Sequence, residues 1–227
     1  MSRLAPLTES ICGSISKHIV QGSEHGRLLI TNRLPLDMHL KKTAKLKKTR
    51  EAAILVSLCN VARVPSLLYT VRSSSLRSHA GHVSFPGGAI DLEDTSIKAA
   101  ALREMHEEIG IEPKDVHIIG LGQAVFAING MLVHPVIGWI KPDLHGVKWE
   151  SQSSPQEVDS VFTRPLELLA DNNYSSVETL TRKGVSVDMP VYGLKEDGSR
   201  GKQTIWGLTA LITSAVLPEV MLHCHQL

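Results

Sequence analysis

The chain has 227 residues, 42% of them hydrophobic and 21% charged, the composition of one globular domain near the upper end of ordinary size. Its 24 Lys and Arg against 23 Asp and Glu leave a formal charge of +1. No overall field is therefore available to grip duplex nucleic acid or an anionic membrane, and any basic site must be local.

Residues 1–50 show no sustained hydrophobic period and are read as an N-terminal lead segment carrying a basic run from Lys41 to Arg50. A solvated helix or linker accounts for that run. A transit peptide is the sharper alternative, opposed by Glu9, Glu24 and Asp37, because such peptides are poor in acids. From residue 51 to 227 the pattern predicts a second, folded unit. Short β-branched runs at 53–58 and 67–71 predict paired or neighbouring strands, followed by strands at 116–119, 123–128, 133–140 and 158–162. Helices are predicted at 97–109, which ends on Gly110, at 165–170, which opens on Pro165, and at 208–217, which stops at Pro218. Strands dominate and do not alternate regularly with helices, so a mixed sheet flanked by helices fits better than a doubly wound parallel sheet. The apolar runs, such as 52–58, fall far short of the roughly 20 residues of a membrane-spanning helix.

Cys12, Cys59 and Cys224 are odd in number and widely spaced, which argues against a disulfide framework and for a reducing compartment. His79 and His82 form a close pair, but no acidic or cysteine cluster completes a zinc site around them. The C-terminal Cys224-His225-Gln226-Leu227 lacks the aliphatic pair of a prenylation signal, and its last three residues lack the small residue and the base of a peroxisomal one.

The chemistry concentrates in Phe85-Pro86-Gly87-Gly88 and the helix that follows. Glu104, Glu107 and Glu108 stand at i, i+3 and i+4, so their carboxylates share one helix face opposite a stripe of Leu102, Met105 and Ile109. Like charges at that spacing repel by a few tenths of a kcal/mol per pair. A hard divalent cation reverses the sign, so the pattern describes a magnesium site suited to phosphate chemistry. Arg103 precedes Glu107 by four residues and can orient it, and Gly87 and Gly88 let a backbone loop pass close to the helix.

The run Arg103-Glu104-Met105-His106-Glu107-Glu108-Ile109-Gly110-Ile111, with Gly88 ahead of it, resembles the Nudix box. The loop between is one residue longer than in the general box, so Glu93 or Asp94 takes the place of its early acid. Upstream, Arg72-Ser73, Arg77, Gly81 and Phe85 to Gly88 are spaced as in the coenzyme A diphosphatase branch of that family. Downstream, Pro155 to Asp159 and Trp206 to Ala210 are similar to it as well, so the resemblance spans about residues 52–217.

The resemblance implies an α/β Nudix fold: an α/β/α sandwich with a mixed sheet and a catalytic loop-helix. It further implies dependence on Mg²⁺ or Mn²⁺ and hydrolysis of the pyrophosphate of coenzyme A and its thioesters. Under it Glu104 and Glu108 are metal ligands, Glu107 is a third ligand or the base, and Arg103 and Glu157 assist catalysis. Arg72 and Arg77, with Gly87 and Gly88, would meet the 3′-phosphate or the diphosphate, since guanidinium binds phosphate bidentately; His79 and His82 in the same loop could also reach phosphate. The expected partner is a small-molecule substrate, with neither nucleic acid nor a membrane span, in a mitochondrial location like that of animal members, with a peroxisomal or cytosolic one as the alternative. Other nucleoside diphosphates, such as NADH or ADP-ribose, are the alternative substrates. A non-catalytic nucleotide-binding module is the alternative from another class, opposed by the presence of all three box carboxylates.

Overall fold

The computed structural model describes residues 4–21, 27–28, 50–76, 78–149, 153–182 and 185–224. Arg77, most of the basic run and the last three residues lie outside the described residues.

Strand β2 (Glu51–Val61) is the heart of the sheet, and its sequence shows why. Ile54, Val56 and Leu58 enter one core while Ala53, Leu55 and Cys59 enter another, so the strand is apolar on both faces and needs a layer on each. Strand β1 is Arg27–Leu28, and the chain after β2 adds β3 (Val64–Arg72), β4 (Val83–Ser84), β5 (Gly87–Ala89), β6 (Val116–Gly122), β7 (Val125–Phe126), β8 (Leu132–Asp143) and β9 (Val158–Pro165). The sheet runs β1-β6-β8-β2-β3-β4, with β5 on β2, β7 on β8 and β9 along the other edge of β3. It is mixed: β2 is parallel to β8 and β1 to β6, whereas β3, β5 and β9 pair antiparallel.

Three helices cover this sheet. On one face lie α1 (Glu9–Gln21) and a long C-terminal helix, and on the other lies α2 (Ile97–Ile109). A one-turn helix, α3 (Leu166–Leu169), follows β9 and buries Leu166 and Leu169. A second, three-stranded antiparallel sheet is formed by β10 (Ser175–Arg182), β11 (Val185–Leu194) and β12 (Arg200–Ile205), and the C-terminal helix α4 (Gly207–Cys224) leans on it. Tyr192 and Ile205 join it to the larger core. The sequence reading placed no strands there, because the inward residues of β10 to β12 alternate with polar ones and the strands are largely exposed.

Helix α4 was expected to stop at Pro218 but continues to Cys224. One ladder bond is lost at the proline. Burial of Leu217, Val220 and Cys224 against the core offsets that loss. Its 18 residues are long and apolar enough to cross a membrane by length and composition, yet eight of them are buried in this fold.

Part of the stretch read as a lead segment is built into the same body. Leu4, Leu7, Ile11, Cys12 and Ile15 are buried in the core shared with α4. The Leu7 backbone exchanges two hydrogen bonds with the Asn60 side chain, both 2.9 Å, as one strand does with another. Leu4 N–H donates to Glu167 at 2.7 Å, and Ala5 N–H donates to the Cys224 carbonyl. The helical spacing of Ile11, Cys12 and Ile15 carried this signal, but Ser and Gly residues interrupt it.

Candidate active site

Helix α2 is delimited as its sequence demands. Ser96 caps it by accepting from Ala99 N–H at 3.1 Å, and Gly110 ends it in the left-handed region at φ 74°, with its N–H donating to His106. The buried residues are Ala100, Ala101, Met105, Glu108 and Ile109. Glu108 therefore does not lie opposite the apolar stripe; it lies within it, 4% exposed, while the side chain of Glu104 is 16% and that of Glu107 51% exposed. The three carboxylates form a gradient from core to solvent.

Two glycines make room for that gradient. A Cβ on Gly88 would sit 2.6 Å from the Glu104 carboxylate, so the helix can press its acid against β5 only where no side chain exists. At Gly87, with φ 149°, a Cβ would meet the Ala53 carbonyl oxygen at 2.3 Å. The Gly87 N–H donates to Glu108 Oε2 at 3.2 Å.

Burial pushes the Glu108 carboxyl up to about 8, reinforced by the charges of Glu104 and Glu157 and opposed by the Gly87 N–H and by Arg72. Glu104 is also raised, again first by burial and against the pull of Arg103. Glu157 is exposed, and its charge acts on both Glu104 and Glu108. It is placed by backbone: Ser154 N–H donates to the Glu108 carbonyl, and Ser73 N–H to the Glu157 carbonyl, each at 2.8 Å.

Arg103 organises the solvent side. Its Nε and Nη2 grip Asp94 at 3.0 and 2.9 Å, Nη1 reaches Glu104 at 3.1 Å and Glu107 at 2.8 Å, and Nη2 also donates to the Ala89 carbonyl. The fork of a guanidinium suits such a hub, which an ammonium cannot span. Hydrogen bonds from Arg103 and from the Asp91 N–H hold the Asp94 carboxyl below the usual range. Of the two acids offered for the early position, Asp94 is the one bound to Arg103, and Glu93 is exposed. Asp91 also approaches the Arg103 guanidinium, at 3.6 Å, an acid the sequence reading passed over because its position in the loop has no fixed spacing to the helix.

Half-buried Arg72 closes the site from the end of β3. Its Nε is buried and meets no hydrogen-bond acceptor among the described residues, while its charge is felt by Glu108 and by His82. His79 and His82 follow in the next loop with their Nδ1 atoms 3.4 Å apart. Arg77, expected beside them, lies outside the described residues.

A family model described as the NUDIX domain matches residues 48–181, more than half of the chain. The chain belongs to the Nudix hydrolase family. Among its Nudix relatives, an uncharacterized Nudix hydrolase, NudL, of Citrobacter koseri is 46% identical over 134 residues, covering 59% of this chain and 67% of that protein. The human mitochondrial coenzyme A diphosphatase NUDT8 is 38% identical over 179 residues, 77% of this chain and 72% of that protein. Of solved structures, a MutT/nudix family protein from Enterococcus faecalis covers 92% of this chain and 73% of its own at 16% identity, with a TM-score of 0.47. The α/β architecture with its mixed sheet and flanking helices is the Nudix fold.

Nudix hydrolases generally use divalent metals such as Mg²⁺ or Mn²⁺. Among the described residues no three His, Cys, Asp or Glu side chains already form a cage. Mg²⁺ does not require one, since it keeps several waters and takes one or two carboxylates plus substrate phosphates. Glu104 and Glu108 fit that demand, because burial disfavours their ionised forms and a cation restores them.

Proposed function

We propose that this Nudix hydrolase cleaves the pyrophosphate of coenzyme A and its thioesters to adenosine 3′,5′-bisphosphate and a 4′-phosphopantetheine species, with Mg²⁺ or Mn²⁺ as cofactor. The observation that carries the reaction is the raised, desolvated pair Glu104 and Glu108 across from Arg72, whose buried Nε has no acceptor among the described residues. That pairing of acids that suit a cation with a guanidinium that suits an anion fits a metal-bound diphosphate. The substrate is supported by the spacing of Arg72, Gly81 and Phe85 to Gly88 and by the likeness to the human coenzyme A diphosphatase. That relative is also the ground for a mitochondrial location.

In this reading Glu104 and Glu108 hold the metal, and Glu107 is a third ligand or the base. When bound, the cation neutralises the diphosphate and lowers the pKa of the attacking water. Arg103 is a positioning residue, fixing Glu104 and Glu107 against Asp94. Glu157, whose charge reaches both Glu104 and Glu108, takes the proton as water attacks phosphorus and the bridging P–O bond breaks. Arg72, joined by Arg77, binds phosphate oxygens through its guanidinium. The deciding experiment is a panel of coenzyme A, an acyl-coenzyme A, NADH and ADP-ribose with Mg²⁺, products identified by mass. Preferred cleavage of NADH or ADP-ribose overturns the substrate, and no cleavage of any overturns the reaction.

A further inference from the structure

We propose that Arg200, His82 and Trp206 extend the anion site outward from Arg72, which the diphosphate shares, into a subsite that takes a phosphate monoester of the substrate. The proposal rests on the diphosphate reading above and names what would make that site choose coenzyme A.

Two stretches distant in sequence supply the groups. Arg72 ends β3, His82 precedes β4, Arg200 begins β12, and Trp206 joins β12 to α4. Arg72 N–H donates to the His82 carbonyl at 2.9 Å and Gly81 N–H to the Arg72 carbonyl at 3.0 Å, which fixes the histidine beside the arginine. The turn that presents it is held at His79, which adopts the left-handed φ of 56° although it is not glycine. The His82 ring packs on Trp206 at 4.8 Å between centroids, and the Arg200 guanidinium lies 4.0 Å from the centre of the same indole. Thr209 Oγ1 donates to the Val83 carbonyl at 3.0 Å and pins the start of α4, with Trp206, against β4.

The packing therefore brings cationic or protonatable groups together around one indole. Glu178 pairs with Arg200. Arg72, whose buried Nε the diphosphate reading uses, stands at the inner edge of this group, its charge felt by both Glu108 and His82. Burial and then the positive charges of His79, Arg200 and Arg72 hold the His82 imidazole toward its neutral form, which marks the same positive potential. A phosphate monoester would relieve that potential and accept from Arg200 and the His82 ring. In coenzyme A the matching group is the 3′-phosphate, which its dephospho analogue lacks.

The test compares two pairs of ligands. Calorimetry measures binding of adenosine 3′,5′-bisphosphate and of AMP, and turnover assays with Mg²⁺ give kcat/KM for coenzyme A and for 3′-dephospho-coenzyme A. Wild-type protein is expected to favour the extra phosphate tenfold or more in each pair. Arg200→Gln and His82→Gln should each bring the ratio down toward one, and Arg200→Lys should retain part of it; circular dichroism checks that each variant is folded. A wild-type ratio of one in the binding arm, or variants that keep the wild-type ratio, overturns the subsite. If wild type hydrolyses no coenzyme A but discriminates between the two nucleotides through Arg200 and His82, the substrate reading falls and the subsite stands.

Discussion

Glu108→Gln separates the cost of the buried acid from its use. In the metal-free protein the Glu108 carboxyl is displaced from 4.5 to about 8, chiefly by burial. Because the folded value lies above the unfolded one, the native state binds more protons between those limits. The stability that goes with the neutral form is complete below about pH 4.5 and is lost as pH rises through about 8. A displacement of that size corresponds to on the order of 3 to 5 kcal/mol. Glutamine keeps the acceptor for Gly87 N–H and cannot ionise. Chemical denaturation in chelator from pH 5 to 9 should show the wild type falling behind the variant progressively, by about that amount at pH 9. Adding Mg²⁺ at pH 9 should stabilise wild type and leave the variant nearly unmoved, while the variant loses turnover by several orders of magnitude. Parallel pH profiles for the two proteins would refute the reasoning, since they would mean that Glu108 is not held neutral by the fold.

Gly88→Ala should leave the fold intact but displace the flexible end of Glu104, lowering kcat by roughly tenfold or more, whereas Gly87→Ala meets backbone at φ 149° and should show itself first in thermal unfolding. Arg103→Lys cannot serve Asp94, Glu104 and Glu107 together, so kcat should fall while the melting temperature changes little, read by kinetics and calorimetry on one preparation. Asn60→Ala removes both hydrogen bonds to Leu7 and should cost about 1 to 3 kcal/mol in denaturant unfolding.

The helix of the active site was legible because each of its signals is local. Ser96, the Ala-Leu-Met run and Gly110 delimit it residue for residue, and the apolar runs of β2, β3 and β8 announced a sheet buried on both faces. Depth was not legible. Glu104, Glu107 and Glu108 read alike in sequence, and only the approach of β5, permitted by Gly87 and Gly88, decides that Glu108 goes under and Glu107 stays out. The same holds for the small sheet and for α4, where Pro218 is a genuine stop signal that long-range burial overrides. Arg200 carried no signal at all: it is an exposed residue at a strand start, and although Trp206 follows the same strand, His82 comes from elsewhere in the chain.

The anchoring of the first residues also has a bearing on the timing of synthesis. Leu4 meets its partner Glu167 only 163 positions later, and Ala5 must wait for Cys224. At about 5 to 20 residues per second, roughly 10 to 30 s pass between translation of Leu4 and of Glu167. Throughout that interval α1 can rest only on the sheet, through residues such as Val56, Leu58 and Ile119, and the packing of α1 against α4 is completed only when the final helix emerges.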